Sequence, residues 1–344
     1  SRDTTASMGT LYKNQSRTNN FYSMKILRII ALFALFFSGA SCAGLTVVEQ
    51  AAKTRGLMLF NQYKGAQSEL RIAAEGGDAE AQFYLAEELH KEKQHITIEA
   101  YKWYEAAAEQ GDLYAMIRLG RSNSDQCRTM NNCPSQKKKP KEWLAEATTI
   151  AKEKADQGDA ESLYIMYELT ADRKLLEKSA NAGSPVAQYR MAIGDRQGEG
   201  FLLPWKRQQS VETWFLASAK GGNPKAMMQL FGIYREKGNL EQARYWVEQA
   251  ASTGYESGVY NYGYFSAVEP NTLGFTMDKT KGYALISLLK ELDGGGTAQV
   301  DVEETLPQIA KDMTPKDIEH ATQLAKKWKN EHPPLSFYPE KIDF

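Results

Sequence analysis

The sequence of this chain predicts an all-α protein built as a solenoid of short helical pairs. Three observations predict this fold class: a turn motif that recurs six times, residues at helical spacing after each turn, and aromatic residues at a fixed distance before it. The 344 residues are 42% hydrophobic and 11% aromatic, enough for a packed core. A repeat array grows by adding units, so a length of 344 residues does not by itself imply two domains.

The recurring motif is Ala-x-x-Gly, in which the glycine is expected to end a helix in the left-handed conformation. Asp78, Asp112, Asp159 and Asn223 follow four of the glycines and suit the N-cap position of the next helix. Each motif is therefore predicted to be the turn between two helices. The six copies are Ala74–Gly77, Ala108–Gly111, Ala155–Gly158, Ala180–Gly183, Ala219–Gly222 and Ala251–Gly254.

The residues around each turn predict how the helices pack. A small residue lies four positions after each glycine and a large apolar residue eight positions after it, which places both on one helical face. Small residues let two helices approach closely, and large residues fill the space between neighbouring pairs. A second helix is expected before each turn, because Trp103, Trp214 and Trp246 lie eight residues before a glycine in helix-favouring sequence.

The first 42 residues are predicted to lie outside the repeats. Residues 1–23 are polar, begin without Met and are expected to be an upstream extension or a tag. Residues 24–42 have the pattern of a secretory signal peptide, with Lys25 and Arg28 before an apolar run and small residues up to Cys42. Because that run is much shorter than the roughly 20 residues that span a bilayer, export is favoured over a membrane anchor.

The end of this segment leaves two processing routes open. Gly39-Ala-Ser-Cys42 resembles a bacterial lipobox, whose cysteine becomes a lipidated N-terminus, although that motif usually has Leu where Gly39 stands. Simple cleavage near Ala40 or Ala43 is an equal alternative. Both routes predict a periplasmic protein, and lipidation at Cys42 would imply an outer-membrane lipoprotein, because Ala43 is not the Asp that favours the inner membrane.

Breaks in the repeat pattern divide the rest of the chain into three predicted segments. Helical repeats are predicted over residues 47–290, with an insertion at 122–141 where the interval between turn glycines is longest. Residues 291–330 are predicted to form capping helices, with Thr314 as the N-cap and Pro315 in the first turn of the last one. Residues 331–344 are expected to be an extended tail that either packs back on the body or frays.

The insertion contains Cys127 and Cys133 in a polar, loop-like segment. In an oxidising compartment these cysteines are expected to form a local disulfide, with two free thiols as the alternative, because spacing alone does not establish the geometry. A zinc site would need two further ligands nearby, which the sequence lacks. The basic run Lys137–Lys141 is expected to be a solvated loop or, alternatively, a contact for an acidic patch on a partner.

The sequence contains no recognisable catalytic motif. Its histidines, His90, His95, His320 and His332, are too scattered for a triad or a metal cluster, and a solvated turn is expected around the first two. Motifs of hydrolases, zinc proteases and phosphate loops are not found. Since 42 basic and 43 acidic residues nearly cancel, no net field favours nucleic acid. The predicted protein is therefore non-enzymatic, without a cofactor, a metal or a nucleic-acid partner.

The complete pattern resembles the Sel1-like repeat, a short unit of the tetratricopeptide type. The most faithful copy, Gly183–Gly222, has the turn, the loop Gly198-Glu-Gly200 and Glu212-Thr-Trp-Phe before the next turn, and the resemblance extends over about Gln67–Leu289. It implies a right-handed superhelical solenoid that binds another protein. Exported bacterial proteins similar to this one include immunity proteins that neutralise phospholipase toxins of the type VI secretion system. An envelope scaffold or regulatory adaptor is the alternative, and a hydrolase with an unrecognised site is a remote one.

The concave wall of such a solenoid is the predicted partner-binding surface. The seventh residue after each turn glycine is expected to face this wall, and a mixture of aromatic and Arg side chains suits interface anchors. The alternative at each position is packing between repeats. These residues are Tyr84, Arg118, Ile165, Arg190, Gln229 and Asn261.

Overall fold

Helices and glycine turns alternate along the chain in the computed structural model, which describes residues 44–200, 203–292 and 297–341. Within these ranges the regular structure is helical, and β pairing is limited to one isolated bridge between Tyr255 and Ser336. The predicted all-α fold is confirmed. The predicted signal peptide and Cys42 lie outside the described residues.

The first half of the array runs from an N-terminal helix to the end of the shortest repeat, with a 3-10 turn at Ser122–Ser124. The helices are α1 (Val47–Asn61), α2 (Gln67–Glu75), α3 (Ala79–Lys93), α4 (Ile98–Glu109), α5 (Leu113–Gly120), α6 (Gln126–Thr129), α7 (Pro140–Asp156), α8 (Ala160–Thr170) and α9 (Arg173–Asn181).

The second half continues the same alternation and ends in the C-terminal cap, with a 3-10 turn at Leu289–Glu291. As predicted, Thr314 caps the last helix and Pro315 begins it. The helices are α10 (Pro185–Gln197), α11 (Pro204–Lys220), α12 (Pro224–Glu236), α13 (Leu240–Ser252), α14 (Glu256–Ala267), α15 (Lys279–Leu288), α16 (Thr297–Ala310) and α17 (Pro315–Glu331).

The turn glycines have the backbone conformation that the motif predicts. All six have φ between +80° and +96°, a region that glycine enters without steric cost. The carboxylates of Asp78, Asp112 and Asp159 each accept a hydrogen bond of 2.8 Å from the backbone N–H three residues later. Asn223 also caps its helix, so each of these turns ends one helix and starts the next.

Small residues at the fourth position bring the paired helices together. Ala81, Ala115, Ala187 and Ala226 are fully buried, and a Cβ added at Gly258 would lie 2.5 Å from the carbonyl carbon of Ala250. Trp103 and Trp246 are buried before their turns. On α11 the neighbouring Phe215 takes the fully buried position, and Trp214 is half-buried.

The insertion is closed by its own disulfide and joined to the body by ionic contacts. Cys127 and Cys133 form a disulfide, and Cys127 is buried. Lys137 lies 3.3 Å from a carboxylate oxygen of Glu105, and Lys138 pairs with Glu146. The basic run is therefore partly neutralised by the protein's own acidic residues.

Reduction of the disulfide is expected to lower the free energy of unfolding by about 2 kcal/mol, because the loop that it closes in the unfolded chain is short. Urea unfolding with and without dithiothreitol measures this difference, and the Cys127→Ser/Cys133→Ser variant is the control for thiol chemistry. Labelling of Cys127 or Cys133 by a thiol reagent in unreduced, unfolded protein would contradict the prediction.

The helices of the described residues are all too short or too polar to cross a bilayer. Their apolar side chains instead form two large clusters, one from Ala66 to Ile165 and one from Ala192 to Leu335, with a small cluster around Leu176 and Met191 between them. The array therefore has a continuous succession of packed helices on which a binding wall can be fixed.

Candidate functional site

The C-terminal tail, residues 333–341, packs back on the helical array. The N–H of Ser336 donates to the Gly254 carbonyl at 3.0 Å, and the N–H of Phe337 donates to the Asn61 carbonyl at 2.9 Å. The N–H groups of two consecutive tail residues thus bind one carbonyl group from the sixth turn and one from the first helix. Because neighbouring backbone nitrogens are close together, these two carbonyl oxygens must lie within about 10 Å of each other. Of the two alternatives for the tail, packing on the body is the one observed.

Side chains reinforce this attachment. Gln62 Nε2 donates to the Leu335 carbonyl at 3.0 Å. The ring of Phe337 stacks on Tyr63 with centroids 4.6 Å apart, and Tyr338 meets Tyr255 edge to face at 6.1 Å. Leu335 and Ser336 are buried. The tail is consequently packed against the surface that it crosses.

Beyond Phe337 the tail enters a groove along the helices that follow the turn glycines. Residues three and six positions after the glycines line this groove, because an i, i+3 pair shares one helical face. The cavity between them and tail residues 338–341 has a volume of about 690 Å³. The lining residues from these positions are Tyr114 and Ile117 of α5, Glu161 and Tyr164 of α8, Val186 and Tyr189 of α10, and Lys225 of α12.

One end of the groove holds a cation against aromatic rings. The ammonium of Lys341 lies 4.3 Å from the ring centroid of Tyr114 and 5.6 Å from that of Phe83, within the range of cation–π attraction. Burial raises the pKa of the neighbouring Asp112, and the positive charge of Lys341 acts in the opposite direction. This end of the groove is therefore aromatic and acidic.

The next part of the groove holds a carboxylate. Glu340 Oε1 lies 3.5 Å from Lys225 Nζ. Burial and then the charge of Glu340 raise the pKa of the Tyr189 hydroxyl. Burial lowers the pKa of Arg190, but nearby acidic groups, Glu340 among them, outweigh it and leave that pKa raised. This part of the groove is basic and aromatic.

Of the six predicted wall residues, Ile165 lines the cavity and the other five do not, so the structure does not bring them together in one site. Ile165 is 2% exposed and lines the cavity, whereas Arg190 is exposed at its edge. Tyr84 packs edge to face on Phe60 at 4.9 Å. Gln229 accepts a hydrogen bond from Arg196 at 2.9 Å, and Asn261 donates to the Ser257 carbonyl at 2.8 Å.

Arg118 shows what the seventh position does in this array. Its Nε and Nη2 donate to the two carboxylate oxygens of Glu87 at 2.7 and 2.8 Å. Glu87 lies ten positions after the turn glycine of the preceding repeat. Arg190 interacts electrostatically with Glu168, which occupies the same position in its own preceding repeat. The seventh residues Arg118 and Arg190 therefore interact with the preceding repeat, and the tyrosines at the third and sixth positions were the sequence signal for the groove itself.

His90 differs from its prediction as a residue of a solvated turn. Helix α3 continues to Lys93, and His90 Nε2 lies 2.8 Å from an Asp125 carboxylate oxygen, with the Tyr104 hydroxyl 3.3 Å from its Nδ1. The contact joins the insertion to the repeats. Among the described residues no group of three or more His, Cys, Asp or Glu side chains is placed to hold a metal ion.

The chain is similar to solved protein structures with low sequence identity. No family model and no curated protein matches the chain. Among solved structures, a protective antigen of uropathogenic Escherichia coli with an SLR fold is 19% identical, with a TM-score of 0.45 over 83% of this chain and 61% of that one. This chain thus spans less than two thirds of the length of that antigen.

Two further solved structures are similar over most of this chain. A Sel1 repeat protein from Oxalobacter formigenes is 17% identical with a TM-score of 0.40, over 70% of this chain and 99% of that one. An immunity protein from Pseudomonas aeruginosa is 18% identical with a TM-score of 0.41, over 68% and 87% of the two chains. The site is therefore interpreted from its own geometry.

Proposed function

We propose that this protein is a non-enzymatic repeat protein of the bacterial periplasm that binds another protein in the groove between Tyr114 and Lys225. One observation supports this proposal most strongly: the chain's own residues 338–341 lie along the groove, with the Lys341 ammonium 4.3 Å from the ring centroid of Tyr114 and Glu340 3.5 Å from Lys225. Peptides are recognised by backbone hydrogen bonds together with contacts of their side chains. The tail makes its backbone hydrogen bonds at Ser336 and Phe337, just before the groove, and its charged side-chain contacts at Glu340 and Lys341 within it.

The groove has the composition of a protein-binding surface. Tyr114, Tyr164 and Tyr189 present large, rigid rings, which supply contact area with little loss of conformational entropy. Charged groups of both signs lie between them, so a partner is selected by its charge pattern as well as by its shape. Because the rings lie on packed helices, the wall is formed before the partner arrives, which reduces the cost of binding.

We further propose that the partner is a phospholipase toxin delivered into the periplasm by a type VI secretion system. This choice rests on the signal-peptide pattern of residues 24–42 and on the resemblance of the repeats to those of exported immunity proteins. Arg190 is the leading candidate for an anchor, because its exposed guanidinium can pair bidentately with a carboxylate of the toxin. Arg118 is held by Glu87 and supports the wall behind it.

Co-expression of the protein together with its signal segment, residues 24–42, should restore growth to a sensitive strain that makes the toxin in its periplasm. Arg190→Ala should weaken the measured affinity about 30-fold, the equivalent of about 2 kcal/mol, whereas Arg128→Ala in the insertion is the control and should leave it unchanged. If the protein gives no protection and has no affinity for the lipase encoded beside it, immunity is contradicted. A partner recovered from periplasmic extract would then support the envelope scaffold.

A further inference from the structure

The sixth repeat turn is built differently from the others. Tyr255 occupies the N-cap position of α14 but makes no side-chain capping bond. The backbone of the tail takes over this role, because the N–H of Glu256 donates to the Ser336 carbonyl at 3.0 Å. Ser336 in turn donates to Gly254, so the turn and the tail are paired in both directions.

Gly254 also leaves room for the tail. A Cβ at this position would lie 2.5 Å from the carbonyl oxygen of Pro334 and 2.8 Å from that of Pro333. At the five other turn glycines, in the part of the chain that the structure covers, an added Cβ would have nothing within 4 Å. The close approach is therefore specific to the turn over which the tail passes.

The last described residues complement the groove in charge. Glu340 lies in the basic part beside Lys225, and Lys341 lies in the aromatic and acidic part over Tyr114. The tail is thus held beside the groove by backbone pairing at Ser336 and ring contacts at Phe337 and Tyr338, and it meets the groove itself with two matched charges. Backbone pairing, ring contacts and matched charges are the kinds of contact that a bound peptide makes with its receptor.

We propose that the C-terminal tail is a tethered ligand of the groove. The groove is a receptor for a segment in which an aromatic residue is followed by proline, an acidic residue and lysine, and a partner that carries such a segment must displace the tail. This inference rests on the proposed function only in placing the partner site in the groove. A short tether gives an effective concentration in the millimolar range, so for a free peptide with a Kd of about 10 μM the resident tail should weaken binding about 100-fold.

A fluorescent peptide with the sequence of residues 335–341 tests this proposal by anisotropy on the full chain. Ser336→Pro in the protein removes the N–H that pairs with Gly254 and leaves the groove unaltered. This variant should bind the peptide saturably, and the unaltered chain should bind it about 100-fold more weakly or worse. Hydrogen exchange at the amide of Phe337 should be slow in the unaltered chain and fast in the variant.

A second variant keeps the test valid if Ser336→Pro disturbs α14. Gly254→Ala should expel the tail through its clash with Pro333 and Pro334, which the peptide lacks, so this variant should also bind the peptide. Gly77→Ala is the matched control, because its φ of +93° imposes a similar backbone strain without a tail contact, and Gly77 does not line the groove.

The peptide itself supplies the specificity control. Replacement of Glu340 and Lys341 by alanine in the peptide should weaken its binding to the Ser336→Pro variant about tenfold or more. The proposal is overturned if folded variants with a fast-exchanging tail fail to bind the peptide, or bind it no better than the unaltered chain. It is equally overturned if the tail amides of the unaltered chain exchange at the rate of an unfolded peptide. None of these outcomes depends on whether the partner is a toxin.

Discussion

Replacement of Phe215 by alanine should lower the free energy of unfolding by about 3–5 kcal/mol, because it removes a large aromatic side chain from a packed core. Phe215 is 0% exposed, and its ring lies 5.5 Å from that of Tyr189, with the guanidinium of Arg196 at 4.8 Å. Since Tyr189 lines the groove, the cavity left behind should also loosen the binding wall.

A second aromatic residue on the same helix provides the control for Phe215. Trp205 is 68% exposed, so Trp205→Ala should change the free energy of unfolding by no more than about 0.5 kcal/mol. Urea unfolding followed by circular dichroism measures both variants. Equal losses of stability would show that burial along α11 does not follow the repeat.

Arg118→Ala should cost about 3–5 kcal/mol of stability, because it leaves the carboxylate of Glu87 in a largely buried position without its cation. The side chains of Arg118 and Glu87 are 20% and 12% exposed, and the Tyr104 hydroxyl also donates to Glu87 at 2.7 Å. The double variant with Glu87→Ala should lose less than the sum of the two single losses, since it removes both buried charges.

The comparison for this pair is an exposed ion pair between neighbouring repeats. Arg71 and Glu99 are 35% and 46% exposed, and water screens their attraction. Arg71→Ala should therefore cost less than about 1 kcal/mol. A loss for Arg118→Ala as small as that for Arg71→Ala would show that Glu87 does not depend on its partner, and the role assigned to the seventh position would fail.

The repeat turns could be predicted because their physical causes are local. A glycine at the end of a helix and a capping residue directly after it determine their own conformation within four or five residues, and the structure has Gly77 and Asp78 in the predicted roles. The small residues at the fourth position follow from the same helical period. Thr314 and Pro315 at the start of α17 were likewise recognisable.

The groove was predicted less completely because one helical face contains several positions. The third, sixth and seventh residues after each glycine lie within one broad stripe, and the sequence does not say which edge faces the cavity. The packing of neighbouring helices decides this. It turns Arg118 toward Glu87 of the preceding repeat and leaves Tyr114 and Tyr164 on the wall.

The sequence by itself determined the turns, the helical pairs and the helical class of the fold, since these depend on contacts between residues close in the chain. Only the tertiary structure decided the course of the tail. Gln62 and Leu335 are separated by 273 positions and meet because the repeats bring the two ends of the array together. The two ends meet because small rotations between neighbouring helix pairs add up along the array, and no local pattern in residues 333–341 predicts this.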